Sequence, residues 1–141
     1  MVSNNNVVCQ TDTQGLQFRL LDTSNNPLTA SSYEVAWTVM RANTTPENAY
    51  GNGTFFFGVD NYLGTGTGEV ANGTHYIFNA NNASEYTMIT QTTAYVNNSA
   101  QLRGMHGGGV FESAEVTKGV QFYMASGNIV SGEFKLYGIK K

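Results

Sequence analysis

Few side chains in this sequence can do acid–base or covalent chemistry. Cys9 is the single cysteine; the histidines are His75, heading "HYIFNA", and His106, just before a run of three glycines. A nucleophilic cysteine needs a base and an orienting group set beside it, and no spacing or motif ties Cys9 to either histidine. The three therefore read as an arm cysteine and two ordinary histidines. Neither histidine has a second ligand at zinc-site spacing. "GMHGGG", residues 104–109, offers bare backbone but lacks the Lys-Ser/Thr that completes a phosphate loop and its strand-to-helix setting. "DNYLGTGTGE", residues 60–69, brings Asp60 and Glu69 near carbonyl-rich turns without the acid order of an EF-hand, so it reads as a loop tip. Glu112 and Glu115 read as solvated acids. The expectation is a protein without enzymatic activity, cofactor or metal.

The aromatic side chains carry more information. Trp37, Phe55, Phe57, Phe122 and Phe134 fall at alternate strand positions, which assigns them to a core. Tyr50, Tyr62 and Tyr95 lie in or near loops. A tyrosine there can stack on a sugar ring or be buried at a protein interface with its hydroxyl wet. These three, with the basic pair Lys140 and Lys141, are the candidate interface residues.

The elements that must position them are strands. "LQFRLLD", "YEVAWTVMRA", "TFFFGVDN", "HYIFNA" and "EYTMITQTTAYV" alternate or are rich in β-branched and aromatic residues. "QLRGMH" reads as a short strand ended by the triple glycine. "GVQFYMAS" and "SGEFKLYGI" flank "SGNIVSG", so the last segment reads as a β-hairpin whose final strand is paired inside a sheet. "TSNNPLTASS", "NTTPENAYGNG" and "LGTGTGEVANGT" read as loops. Residues 1–14 are polar and without period, and read as an extended arm. Residues 15–141 then form a single domain, an all-β antiparallel sandwich of about eight strands.

Composition agrees and excludes several partners. The chain has 141 residues, one domain's length. Charged residues make up 12%, about half the usual share, and Asn, Thr, Gly and Ser fill the gap. The net charge of −3 leaves no basic footprint for nucleic acid. No apolar run is long enough for a membrane span, and "MVSNNNVVCQ" lacks the charged and apolar regions of a secretory signal. A lone cysteine allows no internal disulfide, in keeping with synthesis in a reducing cytoplasm. Asn43, Asn52, Asn72, Asn82 and Asn97 match the glycosylation pattern by chance in so Asn-, Ser- and Thr-rich a chain.

From about Tyr86 to Lys141 the sequence resembles a family of β-sandwich proteins from tailed-bacteriophage virions. The likeness rests on Ser113, Ala114 and Val116, followed by "QFYMASGNIVSGEFKLYGIKK". It implies a jelly-roll-like sandwich made in the host cytoplasm and carried on the virion. The implied role is capsid decoration: a homotrimer binding the major capsid protein on the shell exterior and stabilising contacts between subunits. In that setting the arm would order on docking, and Lys140 and Lys141 would pair with acidic capsid surface. The alternative implied is a tail-fibre or receptor-binding module recognising host-surface carbohydrate. A chain with room for neither attachment domain nor shaft favours decoration.

Overall fold

The computed structural model describes residues 1–138. Ten strands form: β1 (Val2–Cys9), β2 (Leu16–Leu21), β3 (Tyr33–Arg41), β4 (Glu47–Gly53), β5 (Phe56–Phe57), β6 (Ala71–Phe78), β7 (Thr87–Val96), β8 (Leu102–Phe111), β9 (Gly119–Met124) and β10 (Ile129–Leu136). They make two antiparallel sheets, seven strands in the order β10-β1-β6-β7-β8-β3-β4 and three in the order β5-β2-β9. Among the described residues there is no helix. The expected antiparallel β-sandwich is the fold the chain adopts.

The core lies between the sheets and follows the alternation directly. Tyr33, Val35, Trp37 and Val39 of β3 point inward, as do Ile89 and Tyr95 of β7. Phe18 and Leu20 of β2 and Phe56 of β5 meet them from the small sheet. Tyr33 is the hinge of this packing. Its ring lies 4.8 Å from Phe56 and 4.7 Å from Phe111, contacts worth about 0.5–1.5 kcal/mol each beyond simple burial. Its hydroxyl donates to Leu28 O at 2.9 Å and accepts from Leu20 N at 3.2 Å. Burial pushes that hydroxyl's pKa up to about 12. A second cluster gathers Val7, Cys9, Leu16, Val59, Leu63, Ala71, Tyr95 and Met124.

Four expectations are corrected. The first is the N-terminal arm: residues 2–9 are β1, an interior strand paired with β10 on one side and β6 on the other. Its period is hidden by a β-bulge. Val2 and Asn4 point inward, then Asn6 takes φ +49° and the register slips, so Val7 and Cys9 resume the buried face. Cys9 is thus a core residue.

The second concerns "NTTPENAYGNG", which contains β4. As the outer neighbour of β3 it is exposed on much of both faces, so no apolar alternation marks it. The third is the glycine run, which β8 passes straight through. Gly107 and Gly109 face inward against Trp37 and Phe56. A Cβ would sit 2.6 Å from Trp37 Cβ at the first and 2.9 Å from the Phe56 ring at the second. The large neighbours fill the space that side chains on β8 would need.

The fourth is the C-terminal hairpin. β9 pairs with β2 in the small sheet, whereas β10 pairs with β1 in the large one. Residues 125–128 cross between the sheets, held by Ala125 N donating to Gly15 O and Gln10 N donating to Asn128 O. Phe122 and Phe134 still face one interior, ring to ring at 4.8 Å, but from opposite layers. β10 is also an edge strand, not an enclosed one. The strand expected in "TFFFGVDN" shortens to β5 because Gly58 N and Val59 N both turn to Leu16 O.

Candidate functional site

The titratable groups are dispersed. Cys9 Sγ points at Gly64 O, 3.2 Å away, and burial pushes its thiol pKa up. His75 is fully buried: Nδ1 lies 3.1 Å from Gln91 Oε1 and Nε2 2.9 Å from Asn4 Oδ1. Loss of solvation brings its pKa down to about 4, against a smaller upward pull from Gln91. The ring is therefore neutral at physiological pH, donating through one nitrogen and accepting at the other. One of the two amides must present its NH2 group. Asn4, whose Nδ2 otherwise has no partner, fits that role. His106 stands on the outer face of the large sheet with Nδ1 3.1 Å from Thr92 Oγ1. Glu69 accepts from Gly66 N at 2.6 Å, and Asp60 from Asn61 N at 2.7 Å. Among the described residues no three His, Cys, Asp or Glu side chains are grouped to hold a metal ion.

The candidate interface tyrosines separate. Tyr50 sits on β4 and is 88% exposed. Tyr62 is exposed in the 58–70 loop, with the Arg103 guanidinium 4.4 Å above its ring. Tyr95 is corrected: it lies on the inner face of β7, 1% exposed, and burial pushes its hydroxyl pKa up to about 12. It belongs to the core and cannot contact a partner. Lys140 and Lys141 lie outside the described residues.

Two concave regions flank β4. On its inner side a cleft of about 390 Å³ opens toward residues 55–61. Trp37, Phe55 and Phe57 wall it, and Asp60 and Asn61 supply polar groups. The rings of Trp37 and Phe57 lie 4.9 Å apart, as do those of Phe55 and Phe57. Trp37 Nε1 is buried without a hydrogen-bond partner. Aromatic faces beside a carboxylate and an amide can stack a ring and fix its hydroxyls. Across β4, a shallower depression of about 570 Å³ lies over Ala36, Thr38 and His106, with Tyr50 as one wall.

The outer face of the large sheet continues from that depression. Its middle is floored by small residues in two rows, Ala36 beside Gly108 and Ala94 beside Gly104, with the polar row of Thr38, His106 and Thr92 between them. Larger apolar side chains stand around them. Tyr76 and Phe78 stack nearly parallel, and Phe78 is the register partner of Met88. Met40, Leu102 and Tyr50 rise at the other side, all exposed.

Sequence reading missed the cleft because Trp37, Phe55 and Phe57 carry the period of a core. The available signal was the unbroken "TFFF", since alternation lets only one face of such a strand enter a core. Comparison with family models, curated proteins and solved structures finds no match for this chain.

Proposed function

We propose that this protein is a virion decoration protein of a tailed bacteriophage. It binds the outside of the capsid through the outer face of its seven-stranded sheet and bridges neighbouring major capsid subunits. The observation that carries the reading is the collection of Tyr76, Phe78, Met88, Met40, Leu102 and Tyr50, exposed together on one sheet face. Scattered apolar residues need no explanation, but six large ones on one sheet face, around small side chains crossed by the polar row of Thr38, His106 and Thr92, are suited to burial against a partner. A net charge of −3 favours a protein partner over nucleic acid. The mechanism is linkage: binding the assembled shell and not its separated subunits stabilises the assembly by mass action.

The test is copy number in purified virions, by quantitative mass spectrometry against the major capsid protein. A ratio near that of the shell subunit supports decoration; a small fraction of it overturns the reading. The Phe78→Glu, Met88→Glu pair should then abolish binding to shells while leaving the isolated protein folded.

A second reading has its own observation. The Trp37–Phe55–Phe57 cleft, with Asp60 and Asn61 at its rim and an unpaired indole N–H, suits a sugar ring of host-surface carbohydrate. Glycan binding by the intact protein that is lost in Asp60→Ala supports this receptor-binding role. Absence of binding to a broad glycan panel removes it.

A further inference from the structure

The two edges of the large sheet are chemically unlike. β4 carries two glycines and one charged residue, Glu47, which is paired with Arg41. β10 is longer, has β1 on one side and no strand on the other among the described residues, and exposes Val130 and Leu136. Tyr137 N donates to Met1 O and Tyr137 O accepts from the Met1 amine. Alternation then turns the backbone groups of Lys135 and Glu133 toward β1 and those of Phe134 and Leu136 outward. An edge with free donors and acceptors in register is a template for another strand.

We propose that β10 pairs with β10 of a second copy of this chain, antiparallel about a two-fold axis at Phe134, to give one continuous sheet across a dimer. The outward groups permit this register, since Phe134 meets its own copy as a hydrogen-bonded pair. Glu133 then lies opposite Lys135 of the second copy, and Lys135 opposite Glu133. These are non-hydrogen-bonded positions, where side chains approach most closely. Moving the axis one residue, to Glu133 or to Lys135, sets like charges opposite each other. The charge pattern therefore selects a single register among the neighbouring ones. On the inner face Leu136 lies opposite Gly132 of the second copy, where no side chain competes for the space. Within one chain Glu133 and Lys135 are already paired at 2.9 Å on one face, so the dimer joins two such pairs into a four-charge cluster. The interface is isologous and closes, unlike a β4-to-β10 contact, which would propagate as a filament. The virion reading implies a trimer by likeness alone; this pairing follows from the edge itself and stands whether or not that reading holds.

Sedimentation equilibrium of the intact protein tests it. The native sequence should be a monomer–dimer system. Glu133→Lys should raise the dissociation constant on the order of tenfold, and Lys135→Glu should do likewise. The double swap, Glu133→Lys with Lys135→Glu, should restore it. Phe134→Cys should cross-link to itself under mild oxidation, because opposed Cα atoms about 5.5 Å apart lie within disulfide reach. A native chain that stays monomeric to about 1 mM, or forms trimers, overturns the proposal. So does a dimer indifferent to both single charge reversals, or one that the double swap fails to restore. Thermal unfolding of each variant separates lost association from lost folding.

Discussion

β1 and β10 lie side by side in one sheet, and their compositions are the reverse of what their positions suggest. β1 contains three consecutive asparagines, yet it is flanked by a strand on each side and contributes Val2, Asn4, Val7 and Cys9 to the buried face. β10 ends in alternating charged and apolar residues, Glu133 to Leu136, yet it is an edge, and Leu136 is 73% exposed. The reason lies in the neighbours. Asn4 can be buried because His75 on β6 meets its side chain, and the bulge at Asn6 returns the valine and cysteine to the interior. Leu136 points toward the inner side, but the three-stranded sheet does not extend far enough to cover it. Alternation identifies a strand; what covers it depends on residues far away in the chain.

The largest way to break the contrast is deletion. Removing residues 1–9 takes an interior strand and half of the His75 hydrogen bonding, and should abolish cooperative unfolding in denaturant melts. A folded, soluble product would restore the idea of a dispensable arm. Acid comes next. His75 takes up a proton below about pH 6.5 when unfolded but only near pH 4 when folded. Unfolding therefore absorbs a proton between those values, so the contribution of neutral His75 is complete above pH 6.5 and lost as pH falls toward 4. The loss is on the order of 3 kcal/mol. Urea titrations at both ends of that window should show it, and His75→Gln should flatten the dependence.

Gly132→Ala probes the seam between the two strands. Its φ of +151° is strained for any side chain, and Val7 atoms 3.1 Å from a would-be Cβ make the contact tight, so a cost of about 2 kcal/mol is expected. A change below 0.5 kcal/mol would mean that the bulge relaxes. The smallest effect belongs to the edge. Leu136→Ala, measured at low protein concentration, should alter the stability of the monomer by no more than about 0.5 kcal/mol.

Much of the fold was legible because the inward sets of β3 and β7 keep strict period two. The misses share a cause: each segment's burial depends on a partner supplied elsewhere. β4 borrows its order from β3 and has no apolar face of its own. Gly107 and Gly109 look like punctuation until Trp37 and Phe56 are placed beside them. The pattern around Phe122 and Phe134 reports the common interior and not which strand each residue's neighbour will be. At the candidate site, Tyr50 was legible as an exposed aromatic, but Tyr95 looked equally available. Only its inward position on β7, beside Val7 and Leu63, removes it. The cleft depends on β4 standing apart from residues 55–61, a spacing no local pattern encodes.

The register of β1 also sets an order of events. Val2 opposes His75 on one side and Leu136 on the other, so the first strand in the chain waits for partners far downstream. Closing such long loops is entropically slow, and sheets built this way fold in milliseconds to seconds. During synthesis β1 leaves the ribosome with both edges open and holds no ladder position until β6 follows. Its second flank stays open until residue 136 has emerged. Pulse-labelled amide exchange during refolding should find β1 protected after β7 and β8, which pair with each other close in sequence.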